Sequence, residues 1–280
     1  MFNSIYLNGC SYVAGAMLPN HELGMSQVIG DVGKLIQEKF NLKHYINDSK
    51  GGASNDRVRR RTIDWVLKNI HYKKDFLVVI GWTQFTRFEL IDDFAINDIK
   101  QPHKYLQLNS GLAINRENFD WWYREMDPKQ KNLPKNSIRH IVRFGMGQDF
   151  YDFPKDFYKN FMIRHYDVDD RYDKYLDNIL YTQSILKSHD IKYVMFDSLW
   201  SINEAKLAKK FSNKYNQIDF NQWVWGDNRT SWTEHLAAID PENKKTRASK
   251  DDDHPNTLGH KIWSERCIEK IKDIYGDFIR

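Results

Sequence analysis

Apolar positions in this chain fall in short runs separated by longer stripes at helical spacing, which predicts strands alternating with helices. Ile5, Tyr6 and Leu7 form a first short strand ending at Asn8-Gly9. Over 26–40, the positions of Val28, Val32, Leu35, Ile36 and Phe40 predict a helix. A second strand is expected around 44–46, running into Lys50-Gly51-Gly52-Ala53-Ser54-Asn55. Val58, Thr62, Trp65, Val66 and Ile70 then mark a helix for which Ser54 or Asn55 is available as N-cap. The unbroken apolar run Phe76-Leu77-Val78-Val79-Ile80, closed by Gly81, reads as a strand buried on both faces. A helix over 172–187 precedes a second such strand, Lys192 through Phe196. Pro255 opens a last helix reaching about Tyr275, with Trp263, Cys267, Ile271 and Ile274 turned inward.

This alternation favours a parallel sheet covered on both faces, joined by right-handed crossovers. Sites on such sheets collect at the carboxyl ends of the strands. Ser11, Gly52 and Gly81-Trp82-Thr83 each follow a predicted strand, which places three distant segments on one edge. The pattern breaks down over about 92–169, a stretch rich in Asn, Lys, Asp and aromatics. It is too long for an ordinary connection and reads as an insertion or lid after the third strand. A second irregular region, 223–250, carries Trp223, Trp225 and Trp232. The tryptophans and tyrosines of both irregular regions either stack on sugar faces or cover the core.

Composition narrows the classes. The length of 280 residues permits one large domain or two small ones, and one domain over 1–280 is the expected organisation. No apolar run approaches the ~18 residues of a membrane span, and the first residues lack a signal-peptide pattern, so a cytoplasmic protein is expected. Cys10 and Cys267 make no disulfide framework. A net charge of +4 is too slight to imply nucleic acid. The one basic cluster, Arg57 to Arg61, reads as a solvated helix face.

Candidate chemistry sits at the two ends of the chain. Ser11 follows the first strand, and His254 follows Asp251 by three residues. A serine hydroxyl needs a base to take its proton, and the imidazole needs a carboxylate to fix its tautomer. His254 is the expected base, Asp251 its partner, and Asp252 and Asp253 are expected to be solvated. His260 has no such partner and is assigned to structure. The acidic segment with His254 also carries the donor types of a divalent-cation site, although no metal or other cofactor is expected.

Together these segments resemble the SGNH (GDSL-type) hydrolases, serine esterases and lipases on a three-layer flavodoxin-like α/β fold. Gly9-Cys10-Ser11-Tyr12 stands where the family has Gly-Asp-Ser-Leu, and Gly52 matches its oxyanion glycine. Gly81-Trp82-Thr83-Gln84 stands for Gly-x-Asn-Asp, and Asp251 with His254 for Asp-x-x-His. The resemblance covers the frame of the chain and not its insertions. It implies a sheet of about five strands ordered 2-1-3-4-5, with Ser11 as nucleophile and Ser11, Gly52 and Thr83 as oxyanion donors. Trp82, Gln84 and Arg87 are candidates for substrate contact. It further implies hydrolysis of a carboxylic ester, with a small acyl group on a carbohydrate as the expected substrate. Two departures stand out: Cys10 replaces the family's aspartate, and Thr83 its oxyanion asparagine. The second motivates an alternative, a fold kept as a binding or assembly module.

Overall fold

Every side chain of Phe76–Trp82 is buried, and so is all of Lys192–Asp197 beyond its first residue, so both segments need cover on two faces. A computed structural model, describing residues 2–20, 28–72, 75–92, 138–142, 167–249 and 252–276, supplies it with a parallel sheet between helical layers. The principal elements are β1 (Ser4–Asn8), α1 (Val32–Lys39), β2 (His44–Asn47), α2 (Asn55–Asn69), β3 (Phe76–Trp82), β4 (Phe88–Asp92), β5 (Ile138–Val142), α3 (Val168–Ser188), β6 (Lys192–Asp197), α4 (Trp232–Ile239) and α5 (Thr257–Tyr275). The chain divides into two compact units, Met1–Phe85 with Tyr172–Arg280, and Thr86–Arg171.

In the first unit β2, β1, β3 and β6 lie side by side, all parallel. This reproduces the first four places of the expected order. The fifth strand is reduced, among the described residues, to a parallel bridge between Trp223 and Met195, where the Val224 N–H donates to the Met195 carbonyl at 2.7 Å. Single turns at Phe220–Gln222 and Asp227–Arg229 bracket this bridge and leave no length of extended chain to pair. In the second unit β4 and β5 pair antiparallel, with Phe88 opposite Val142. Most of the expected insertion at 92–169 lies outside the described residues.

Strand alternation sorts the helices into two layers. On β1, Tyr6 stacks on Trp65 of α2 at 4.3 Å, and Asn8 bonds to the α2 backbone. On β6, Asp197 accepts from Tyr175 of α3, while its neighbour Phe196 packs edge-on against Trp263 of α5 at 5.6 Å. Helices α2 and α3 share one face, where Asn178 donates to Asp56 at 3.2 Å, and α1 packs with α5. Trp232 and Trp263 stack at 5.8 Å beneath Phe196, and Trp223 and Trp232 are 1% and 0% exposed. These two tryptophans of the second irregular region therefore belong to the core. Truncating such a side chain to alanine typically costs about 3–5 kcal/mol.

Caps set the helix boundaries. Asp31 accepts the Lys34 N–H at 2.9 Å, so α1 starts at Val32, later than periodicity suggests. Ser54 caps α2 through the Arg57 N–H, and Asn256, one residue after Pro255, caps α5 through Leu258 and Gly259. The basic cluster on α2 departs from its expected solvated state. Arg61 grips both carboxylate oxygens of Asp48 at 2.9 Å, and Arg57 donates to the Asp48 carbonyl at 3.0 Å. No described helix is long and apolar enough to cross a membrane.

Candidate active site

The carboxyl end of β1 is fixed by a buried carboxamide. Asn8 Nδ2 donates to the Val58 carbonyl and to Thr62 Oγ1, both at 3.0 Å, and Asn8 Oδ1 accepts the Gly9 N–H at 2.9 Å. The chain then turns at once, with the Ala14 N–H on the Cys10 carbonyl at 2.8 Å and the Ala16 N–H on that of Ser11 at 3.0 Å. Val13 drops between two strand ends in this turn. A Cβ on either Gly9 or Gly81 would lie 2.4 Å from Val13 Cγ2, so both positions need bare backbone. Ser11 is held at the sheet edge and is 9% exposed.

His254 arrives from the other end of the sequence on a hairpin-like return. Its carbonyl accepts the Ala248 N–H at 2.8 Å, Arg247 bridges to Pro255, and the Asn256 N–H donates to Thr246 at 3.0 Å. His254 Nε2 lies 2.9 Å from Ser11 Oγ. Its Nδ1 lies 2.6 Å from Asp252 Oδ1, which also accepts the His254 backbone N–H at 3.0 Å. A side-chain oxygen bonded to the N–H two residues on is an Asx turn, and it aims the carboxylate at the ring. With Nδ1 donating to Asp252, Nε2 is left to accept the Ser11 proton.

This corrects the expectation for Asp252, which faces the imidazole and not bulk solvent. Asp251, selected by its three-residue offset, lies outside the described residues. Burial raises the Asp252 carboxyl, but the bonds from the His254 N–H and ring outweigh it and hold it below the ordinary carboxylate range.

Gly52 is the third residue of a turn closed by the Ala53 N–H on the Lys50 carbonyl at 3.1 Å, and its φ of 74° requires glycine. The Lys50 N–H donates to the Gly9 carbonyl at 3.0 Å, tying this turn to the Ser11 segment. A Cβ on Gly51 would lie 3.9 Å from Ser11 Cβ. Among the described residues no acceptor takes the N–H of Ser11 or of Gly52.

Thr83 is 1% exposed, and its Oγ1 is buried with no hydrogen-bond partner among the described residues. Its backbone is clasped by Asn55: the Thr83 N–H donates to Asn55 Oδ1 at 2.9 Å, and Asn55 Nδ2 donates to the Thr83 carbonyl at 3.2 Å. Asn55, weighed as a helix cap, leaves that role to Ser54 and joins the second segment to the third. Trp82 is fully buried, with its indole N–H on Met195 Sδ at 3.4 Å, so it packs the core and is not open to a substrate. Gln84 is buried too, at 4% exposure, and Arg87 belongs to the second unit.

Donor atoms of Asp252, Asp253 and His254 lie within 4.8 Å of one another, the spacing of a cation site. Both imidazole nitrogens already face partners, Asp252 and Ser11, so an ion would have to displace one of them.

His260 serves the core. Its ring meets Trp232 edge-on at 4.9 Å, and burial lowers its pKa from 6.5 to about 3. The unfolded chain therefore takes up a proton below about pH 6.5 that the folded chain refuses until about pH 3. Stability tied to His260 is present above pH 6.5 and lost as pH falls through that window, at up to about 1 kcal/mol per unit. Asp31 and Asp197, raised by burial to about 6 and about 7, act in the opposite direction. The diagnostic is thus a difference. Urea midpoints measured from pH 7 to pH 4 should fall more steeply for the parent chain than for His260→Phe, and parallel curves would remove this account.

No protein-family model matches the chain, and no curated protein does. Structural similarity is found to the psychrotrophic esterase EstA from Pseudoalteromonas sp., at 12% identity over 97% of this chain and 98% of that one, with a TM-score of 0.45. TesA matches at 12% identity over 97% and 99%, with a TM-score of 0.46. The acetyl xylan esterase Est2A from the rumen bacterium Butyrivibrio proteoclasticus matches at 10% identity over 99% and 66%, with a TM-score of 0.43. At such identities and overlaps the assignment of chemistry rests on distances within this chain.

Proposed function

We propose that this chain is an SGNH-type serine hydrolase that cleaves a carboxylic ester through an acyl-enzyme on Ser11. The observation that carries the reading is the relay from Ser11 Oγ to His254 Nε2 at 2.9 Å and from His254 Nδ1 to Asp252 at 2.6 Å. Residues 243 apart in sequence meet at hydrogen-bonding distance, with a carboxylate set to fix the tautomer.

In this mechanism Ser11 Oγ attacks the ester carbonyl as its proton passes to Nε2. The oxyanion is received by the N–H groups of Ser11 and Gly52, with the Thr83 hydroxyl as a third donor. Collapse breaks the bond to the alcohol, which leaves with the proton from Nε2. Water then attacks the acyl group, gives a proton to the same nitrogen, and releases the acid as Ser11 recovers its hydrogen. A small acyl group carried on a carbohydrate is the narrower proposal. Trp200, just past β6 at the same sheet edge and 42% exposed, offers a flat surface for a sugar ring.

The test is covalent. A fluorophosphonate probe should label the parent chain at Ser11, and Ser11→Ala should not be labelled. Equal labelling, or none, in both would favour the binding or assembly module, which draws its support from Thr83. Thr83 also has its own test. Removing one oxyanion donor typically lowers kcat by about 10²-fold or more, so Thr83→Ala should show that loss on p-nitrophenyl acetate while Thr83→Ser keeps most of the rate. An unchanged kcat in Thr83→Ala would leave the two backbone donors as the whole hole.

A further inference from the structure

Resting on the hydrolase reading, we infer that Tyr12 and Arg247 are positioning residues that clamp the base loop from two sides. The contact point is the carbonyl of Asp253, the residue between Asp252 and His254. It accepts the Tyr12 hydroxyl at 3.1 Å and Arg247 Nη1. The two donors come from distant segments, one next to the nucleophile and one on the strand-like return that pairs with Pro255. Tyr12 does more than donate, since its ring packs on the His254 imidazole at 4.9 Å and edge-on against Trp232 at 6.1 Å. One residue thus ties the position of Ser11 to that of its base.

Arg247 is the unusual member. It is 3% exposed, its Nη2 donates to the Thr233 carbonyl at 2.9 Å, and its buried Nε has no partner among the described residues. Among the described residues no carboxylate forms an ion pair with it. A buried guanidinium whose hydrogen bonds, among the described residues, go to backbone carbonyls is a poor source of stability, because an apolar side chain of similar volume fills the same space without desolvating a charge. What an apolar side chain cannot do is hold a carbonyl of the base loop and a carbonyl of α4 at fixed separation. The same separation keeps the Asx turn at Asp252 closed on the ring.

Stability and turnover should therefore part company. Arg247→Met should keep its Tm or raise it, yet lower kcat for p-nitrophenyl acetate by about 10²-fold with KM nearly unchanged, the loss expected when a catalytic group is misplaced by about 1 Å. Arg247→Lys, which reaches one carbonyl, should recover part of the rate. Tyr12→Phe, which deletes a single hydroxyl and keeps the ring packing, should cost about tenfold. A second readout needs no turnover. The side-chain ¹H–¹⁵N signals of His254 in the full chain report its bond to Asp252 and should shift in both Arg247→Met and Tyr12→Phe. If those signals and kcat match the parent in both variants, the clamp is overturned while Ser11 labelling leaves the hydrolase reading standing. If the parent is not labelled at Ser11, the hydrolase reading falls, and shifted His254 signals still mark the clamp as real.

Discussion

Ser11→Ala, His254→Ala and the double variant are expected to lower kcat for p-nitrophenyl acetate by one common factor, about 10⁶. The two side chains act as a unit across the 2.9 Å contact, so removing either leaves nothing for the other to do. Independent contributions would multiply in the double variant, whereas a shared proton transfer gives three nearly equal losses. A residual rate above the uncatalysed reaction should persist in all three from the oxyanion donors and from binding. Neither change should unfold the chain, because Ser11 and His254 sit at the sheet edge and outside the tryptophan core. Far-UV circular dichroism and steady-state kinetics on the same preparations make the check. A His254→Ala enzyme retaining a tenth of the parent rate would move the base to another residue.

The frame of the fold was legible because buried parallel strands leave a composition that nothing else in the chain imitates. Phe76 to Ile80 and Lys192 to Phe196 read as strands from their apolar runs, and both lie within the observed β3 and β6, which pair parallel. Ser11 was legible from its place just past the first strand, behind Gly9, and His254 from its three-residue offset to Asp251; that aspartate lies outside the described residues, and it is Asp252 that meets the ring. What escaped was decided by turns and not by periodicity. Ser54 and Asn55 are equally good caps on paper, and only the extended backbone at Ser54, with φ −89° and ψ 165°, hands the cap to the serine. That frees Asn55 to clasp Thr83. The same holds for the arginines of α2. Their run suggests solvent, but Asp48 on the preceding loop folds back to meet Arg57 and Arg61. Arg247 carries no motif at all. Its place emerges only when the return over 245–249 is laid against Pro255.

The choice of carboxylate is the sharpest remaining consequence of this geometry. Asp252→Asn should lower kcat by about 10⁴, because a carboxamide in that place can donate to Nδ1 and so favour the tautomer with its proton on Nε2, which cannot accept from Ser11. Two bonds make the site unforgiving: Oδ1 takes both the ring Nδ1–H and the His254 backbone N–H. Because that single oxygen serves both bonds, an asparagine that turns its amide onto Nδ1 also gives up the bond from the His254 N–H, so the ring tautomer and the Asx turn are lost together. Asp251→Asn, at the position chosen by the three-residue offset, is expected to stay within about threefold of the parent, because Asp252 already holds the ring nitrogen that a second carboxylate would need. The opposite pattern, with Asp251→Asn crippled and Asp252→Asn active, would transfer the orienting role to Asp251 and mean that the Asx turn opens before the enzyme works. Measuring kcat for both on one ester, with fluorophosphonate labelling rates alongside, separates the two carboxylates, since labelling of Ser11 depends on the same imidazole tautomer.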